Sequence, residues 1–408
     1  MYLLQPPLFS FEQILELQPK NRLQAVFSTL NLEPVLQLLK PESKFGPKGY
    51  PREAMLRSLI AKQLEAIPNI AKLVERLRTD PSFRYHCGFN AFGTVPSEAT
   101  FSRFIAKLEK TGAIELLFEQ TVAQGRADGI IGNEYVALDS TEIKAWEKPQ
   151  PKGKPTSDQE AAWGSKRDTS GNQKAWFGYK THIACDCKSE LPIAIVVTPA
   201  NVHDSKVALP LMKKVTSSLP RDKWPRYWVM DMAYDTKTIY AEAFDRYGSQ
   251  AIIPLNRRGA KEPPEGFDYD GTPLCSMGYR MAYWGYDTST NTHKFRCPHV
   301  LCKVNCPFGS AWCSDSSYGM VVKTKVTDDL RRFCVPYRGS RNWQLIYDLR
   351  TAVERCFSRL KVNLGLNAVR VRGIKRVRFY QVLSCVTLIA ATLAVNSVMT
   401  QGQDKVVA

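Results

Sequence analysis

Apolar residues recur at three- and four-residue spacing through PREAMLRSLIAKQLEAI, which starts at Pro51, through IAKLVERLR, and through VPSEATFSRFIAKLEKTG. That is the period of helices with one buried face. Proline suits the first turn of the first helix. Ser97 stands where a cap is needed for the third, and Gly112 where it should stop. Residues 1–128 are therefore expected to be mostly helical. The pattern changes at Glu134. EYVALDS reads as a strand ending at Asp139, and WFGYKTHIACD and LPIAIVVTP as two strands joined by a turn at Lys188 and Ser189. A helix from about Ser205 to Val215 follows, then a strand RYWVMD closing on Asp231, a helix from Lys237 to Arg246 and a strand QAIIPL. This order predicts an α/β domain with a mixed sheet.

Two stretches break the pattern. Residues 147–175 are rich in Lys, Pro, Gly, Ser and Gln, which predicts a long mobile loop. Residues 257–340 are rich in Gly, Pro, Tyr and Cys, with short β-like runs in MAYWGYD and GMVVKTKV, and read as a β-rich insertion. A long helix from about Trp343 to Val362 and an apolar helix from Val377 to Met399 return to the main domain. The expected organisation is a helical N-terminal DNA-binding domain, 1–128, and an α/β core in two parts, 129–256 and 341–400, split by the insertion 257–340. Short helices with a basic last member fit a helix-turn-helix-like DNA module and a plain helical bundle equally well.

Composition narrows the function. A chain of 408 residues exceeds one compact fold. The excess of 17 positive charges is uneven: residues 321–380 carry 15 Lys and Arg against four Asp and Glu, while residues 1–130 are nearly balanced. A basic block points to a polyanion held through its phosphates. The uncharged run 379–403 could be read as a membrane span. Its Gln381, Ser384, Thr387, Thr392, Asn396 and Ser397 would be costly in lipid, so a buried helix is expected and no membrane partner. The start MYLLQPPLFSFEQ lacks the basic region of a signal peptide, and the 11 scattered cysteines suit a reduced, cytosolic chain. No glycine-rich phosphate-binding loop occurs, which argues against nucleotide-driven chemistry.

Asp139 and Asp231 each follow an apolar run at the expected C-terminal end of a strand. Sites form at that edge of open α/β sheets, and two carboxylates there suit a hard cation; each taken alone also fits a turn or cap. On one continuous helix, with Tyr347 as zero, Arg350, Glu354 and Lys361 fall within an arc of about 60°. Leu349, Val353, Cys356 and Leu360 form the neighbouring apolar face. Arg and Lys suit phosphates and Glu suits a metal, although a solvated face with helix ion pairs gives the same pattern.

These residues resemble the insertion-sequence transposases with an Asp-Asp-Glu site on a ribonuclease-H-like core. Their subgroup signature Y-x2-R-x3-E-x6-K is matched by Tyr347, Arg350, Glu354 and Lys361 in YDLRTAVERCFSRLK. The acidic motifs are matched by ALDST at Asp139 and MDMAYD at Asp231. FGYKTHIACD, TPANVHDSK and GLNAVRVRGIKRVR resemble the family's central strands, following helix and basic tail. The resemblance implies that Asp139, Asp231 and Glu354 hold two Mg²⁺ ions, replaceable by Mn²⁺, for in-line displacement at phosphorus. It also implies that Tyr347, Arg350 and Lys361 grip transposon-end phosphates. The partners would be double-stranded inverted-repeat ends and target DNA, bound by a homodimer in the bacterial cytoplasm near the nucleoid. The alternatives are a nuclease that cuts without joining and a non-catalytic DNA-binding descendant; no acidic position is lost.

Cys297, Cys302, Cys306 and Cys313 fall within 17 residues, near His293 and His299, with Cys275 upstream. Four thiolates can hold a structural Zn²⁺, although the spacing is not that of paired C-x-x-C knuckles, and free thiols remain the other reading. Trp284, Trp312 and Trp343 are candidates for a wedge that flips a base, with core packing the competing role for each.

Overall fold

The structure, a computed structural model, describes residues 22–39, 49–150, 156–167, 171–259, 262–367 and 369–407. The chain start read for a signal peptide lies outside them. Among the described residues seven helices come first: α1 (Arg22–Ser28), α2 (Glu33–Leu38), α3 (Arg52–Leu64), α4 (Ile70–Thr79), α5 (Pro81–His86), α6 (Glu98–Thr111) and α7 (Ala113–Ala127). Ser97 caps α6 as expected, its hydroxyl accepting from the Thr100 amide at 3.3 Å. Gly112 ends the helix in the left-handed region, at φ 68°. Pro51 stands just outside α3 as its cap residue.

The central sheet contains β1 (Tyr135–Lys144), β2 (Ala162–Arg167), β3 (Gln173–Asp186), β4 (Leu191–Pro199), β5 (Tyr227–Met230) and β6 (Gln250–Ile252). β1 pairs antiparallel with β3, which pairs antiparallel with β4, while β5 lies parallel to β1 and β6 parallel to β5. The order β4-β3-β1-β5-β6, with three antiparallel strands followed by two parallel ones, is a ribonuclease-H-like mixed sheet. α8 (Ser205–Ser217) joins β4 to β5. α9 (Lys237–Ala241) continues as one π-helical turn to Arg246 before β6, where one regular helix was expected.

Three expectations are corrected. β1 does not stop at Asp139; the β3 ladder carries it to Lys144. The expected loop 147–175 contains β2, which pairs with the first half of β3 from Ala162–Gly178 to Arg167–Gln173. Gly178 is required where this ribbon leaves the sheet, because a Cβ there would strike the Ile143 carbonyl and the Ala145 amide. The single helix expected over 343–362 is two, α10 (Arg341–Asp348) and α11 (Thr351–Leu364). Three-residue hydrogen bonds, Arg350 to Tyr347, Ala352 to Leu349 and Val353 to Arg350, break the helical ladder between them.

The insertion is a meander of β7 (Ala282–Asp287), β8 (Thr292–Arg296) and β9 (Val321–Lys325), with a small core of Met281, Phe295 and Tyr337. Arg331 ties its end to the sheet by forking the fully buried carboxylate of Asp235, at 2.9 and 3.0 Å from Nε. The last helix, α12 (Ile374–Val407), packs against α1, α3, α7, α11 and β4. Its apolar stretch is long enough to cross a bilayer, yet it is mostly buried in protein. Its polar side chains are satisfied there: Gln381 accepts from Thr181 at 3.0 Å and donates to the Leu366 carbonyl at 2.8 Å, and Ser384 accepts from Gln63 at 2.6 Å. One apolar cluster runs from Leu23 of α1 to Ala394 of α12.

Candidate active site

The sheet register brings the two aspartates together. The parallel ladder between β1 and β5 ends at Leu138 and Met230, so Asp139 and Asp231 are the next residues on neighbouring strands. Asp139 accepts from the Ser140 amide at 2.7 Å, and Asp231 from the Ala233 amide at 2.9 Å, where it caps the turn Met232–Tyr234. Burial, and then the charge of Asp231, pushes the Asp139 carboxyl up to about 7. Burial also raises Asp231, against the hydrogen bond from Ala233. Two desolvated carboxylates that each resist ionisation are a donor set suited to a divalent cation.

α11 lies across β1 and β3 on its buried face of Val353, Cys356 and Leu360. Glu354, in its first turn, is half exposed. The Arg350 guanidinium bridges the carboxylates, 2.6 Å from Glu354 Oε1 and 3.7 Å from Asp139 Oδ2. Its centre lies 6.0 Å from the ring of Tyr347, which stacks on Trp343. Lys361 sits further along α11. Burial lowers its ammonium, opposed by Glu142, with Lys166, Lys174 and Asp139 also acting on it. The signature residues thus share one side of the α10–α11 unit, with Lys361 displaced toward the β2–β3 ribbon. Among the described residues no three His, Cys, Asp or Glu side chains are gathered tightly enough to cage a metal ion.

The cysteines regroup. Cys297, Cys306 and Cys313 line one small cavity together with Cys275 and His299, whereas exposed Cys302 stands outside it. His293 is buried elsewhere, against the Cys334 carbonyl at 3.1 Å. Trp343 is a core residue at 4% exposure. Trp284 and Trp312 are exposed, one against Arg296 and the other against Phe308.

A ribonuclease-H-like sheet with paired carboxylates at its parallel edge and a glutamate-bearing helix beside them defines a class of enzymes that transfer phosphoryl groups in nucleic acid. The chain matches three family models in succession: Transposase domain (DUF772) over residues 11–107, Transposase DDE domain over 132–271, and a second Transposase DDE domain over 274–390. It belongs to the DDE transposases, enzymes of DNA cleavage and strand transfer. Transposase DDE domains use divalent metal ions, and transposases bind DNA. Among solved structures, the chain is similar to a piggyBac transposase in a synaptic complex with hairpin DNA. The two are 10% identical, the match covers 92% of this chain and 75% of that one, and the TM-score is 0.38.

Sequence reasoning did not single out Asp204, His182 or Tyr234. Asp204 acts on both Asp139 and Asp231, Tyr234 feels all three aspartates, and His182 lies against Asp204. The available signal was the run TPANVHDSK, in which Asp204 starts a helix directly after the strand beside β3.

Proposed function

We propose that this transposase binds double-stranded transposon ends, cuts them and joins them to target DNA, with Asp139, Asp231 and Glu354 as ligands of two Mg²⁺ ions. The carrying observation is the register that sets Asp139 beside Asp231, with α11 and its Glu354 packed over the same strand. When bound, the two ions supply an activated water or 3′-hydroxyl and stabilise the leaving oxygen during in-line displacement. Asp139 and Asp231 provide the anionic floor. Arg350, which holds Glu354 and Asp139 together by charge, is the group that turns to a phosphate when metal neutralises them. Tyr347 supports Arg350 through its ring, and Lys361 takes the next phosphate along α11. The signature subgroup Y-x2-R-x3-E-x6-K is part of this reading. So are a homodimer on DNA, because joining two ends takes two active sites, and a cytoplasmic location. A structural Zn²⁺ in the insertion is also part of this reading, on the thiols of Cys275, Cys297, Cys306 and Cys313 that line one cavity and would have to draw together around the ion.

The test is substitution with separate readouts of binding and cleavage. Asp139→Asn, Asp231→Asn and Glu354→Gln should each abolish cutting of a labelled end while leaving its mobility shift intact, because affinity comes from Lys and Arg. Cleavage at the wild-type rate by any one of them removes that residue from the site.

A further inference from the structure

A cavity of about 410 Å³ lies where the end of α3 and the start of α4 meet the α11–α12 junction. Lys62, in the last turn of α3, lines it and is only 6% exposed. Its ammonium sits 5.2 Å from the centre of the Tyr380 ring, which lines the same cavity, and donates to Gln63 Oε1 at 3.3 Å. An ammonium carries three donors and a full charge. Among the described residues Lys62 has no carboxylate partner. Burial, and then the like charge of Arg370 on the rim, lower its ammonium to about 8. Glu98, the one carboxylate among the lining residues, is exposed. The start of α4 adds to the positive wall. Asn69 takes the Lys72 amide on its side chain at 2.8 Å and the Leu73 amide on its carbonyl at 3.1 Å. The amides of Ile70 and Ala71, which also line the cavity, have no partner among the described residues.

A buried charge without a counter-charge costs free energy. A helix start with open amides attracts an anion. Both features face one space, and an oxyanion there answers both. The rest of the wall is apolar, with Ile67, Leu366, Val369 and the Tyr380 ring, and a cavity of this volume takes a small organic molecule. We propose that the cavity binds a small organic anion. Its oxyanion head is held by Lys62 and the first amides of α4, and its apolar body lies against Ile67, Leu366, Val369 and Tyr380. Lys62 is too deep for the backbone of a duplex to reach, so the ligand is a free small molecule and the site is separate from the DNA path. Leu364, the last residue of α11, also lines the cavity. A bound anion therefore fastens the N-terminal helices to the helix that carries Glu354.

The experiment titrates phenyl phosphate into the full-length chain by calorimetry, with phenol as the uncharged probe and melting measured alongside. Phenyl phosphate should bind saturably and raise the melting temperature, and phenol should do neither. Lys62→Met should weaken phenyl phosphate by about 10-fold or more, the loss of a hydrogen bond from a charged donor. Without the probe it should melt no lower than wild type, because a desolvated charge is gone. Ile70→Pro removes one open amide at a first helical position, where Asn69 at φ −150° and ψ 174° already suits a following proline. It should weaken phenyl phosphate by about 5-fold. Both variants should bind duplex DNA as wild type does, and duplex DNA should leave probe binding unchanged. No saturable binding by wild type, wild-type affinity in both variants, or equal binding of phenol each overturns the inference. Displacement of phenyl phosphate by duplex DNA overturns it too, because the cavity would then belong to the DNA path.

Discussion

Asp139 is a carboxyl that prefers to stay protonated up to about pH 7, because burial and the neighbouring Asp231 both oppose its charge. A metal ion binds only the ionised form, so proton and metal compete. The sign follows: below about pH 7 a proton must leave before metal enters, and above it no proton is released. The Mg²⁺ concentration that half-saturates cleavage should therefore rise as pH falls from about 8 to about 6, approaching tenfold per pH unit at the acid end for one displaced proton. A half-saturation point that stays level across this range would show that Asp139 is not a ligand. The two aspartates were legible in the sequence because each ends an apolar strand run, and parallel register does the rest. Asp204, His182 and Tyr234 were not. They come from a helix start, a strand interior and a turn, and nothing in the local sequence shows that Asp204 and Tyr234 lie near the aspartates or that His182 meets Asp204.

At the scale of elements, legibility followed hydrophobic contrast. β5 and most of β3 and β4 are apolar runs buried on both faces, α6 has one buried face, and all four were readable within a few residues. β2 was not, because the ribbon it forms with the start of β3 runs past the sheet with most side chains exposed, so no apolar alternation marks it. The break between α10 and α11 has neither proline nor glycine to announce it. The insertion shows the same limit for its cysteines: spacing grouped Cys302 with Cys297, Cys306 and Cys313, while the cavity those three line is shared with Cys275, which comes from a different turn. Protein purified without chelator should carry about one zinc per chain. Cys275→Ser should lose it and lower the melting temperature of the insertion, and Cys302→Ser should keep both. Metal analysis of the two variants decides the assignment, and zinc retained in Cys275→Ser would exclude that residue as a ligand.

At the scale of the whole molecule, the N-terminal helices share one apolar cluster with α12 and the sheet, which local sequence could not reveal because the segments that pack together are hundreds of residues apart. The charge distribution was legible, and it now meets the site. The basic block 321–380 includes Arg350 and Lys361, and Lys361 is close enough to Lys166 and Lys174 of the ribbon for each to act on it. Positive groups therefore run from the carboxylates along α11 to the ribbon, a path suited to a DNA backbone. Taking away one cation that neutralises a phosphate should reduce the slope of log affinity against log salt by about 0.9. Lys361→Ala should show this reduction with or without divalent ions. Arg350 is held by Asp139 and Glu354 in the metal-free protein, so Arg350→Ala should change the slope only when Ca²⁺ or Mg²⁺ is present to neutralise those carboxylates. Restoring Lys at position 350 should recover the slope more fully than the cleavage rate, since an ammonium carries the charge but not the forked geometry. Titrations of end DNA at several salt concentrations, with and without Ca²⁺, separate these cases. Wild-type slopes for both alanine variants under both conditions would make this face of α11 an ordinary solvated one, and the DNA path would have to lie elsewhere.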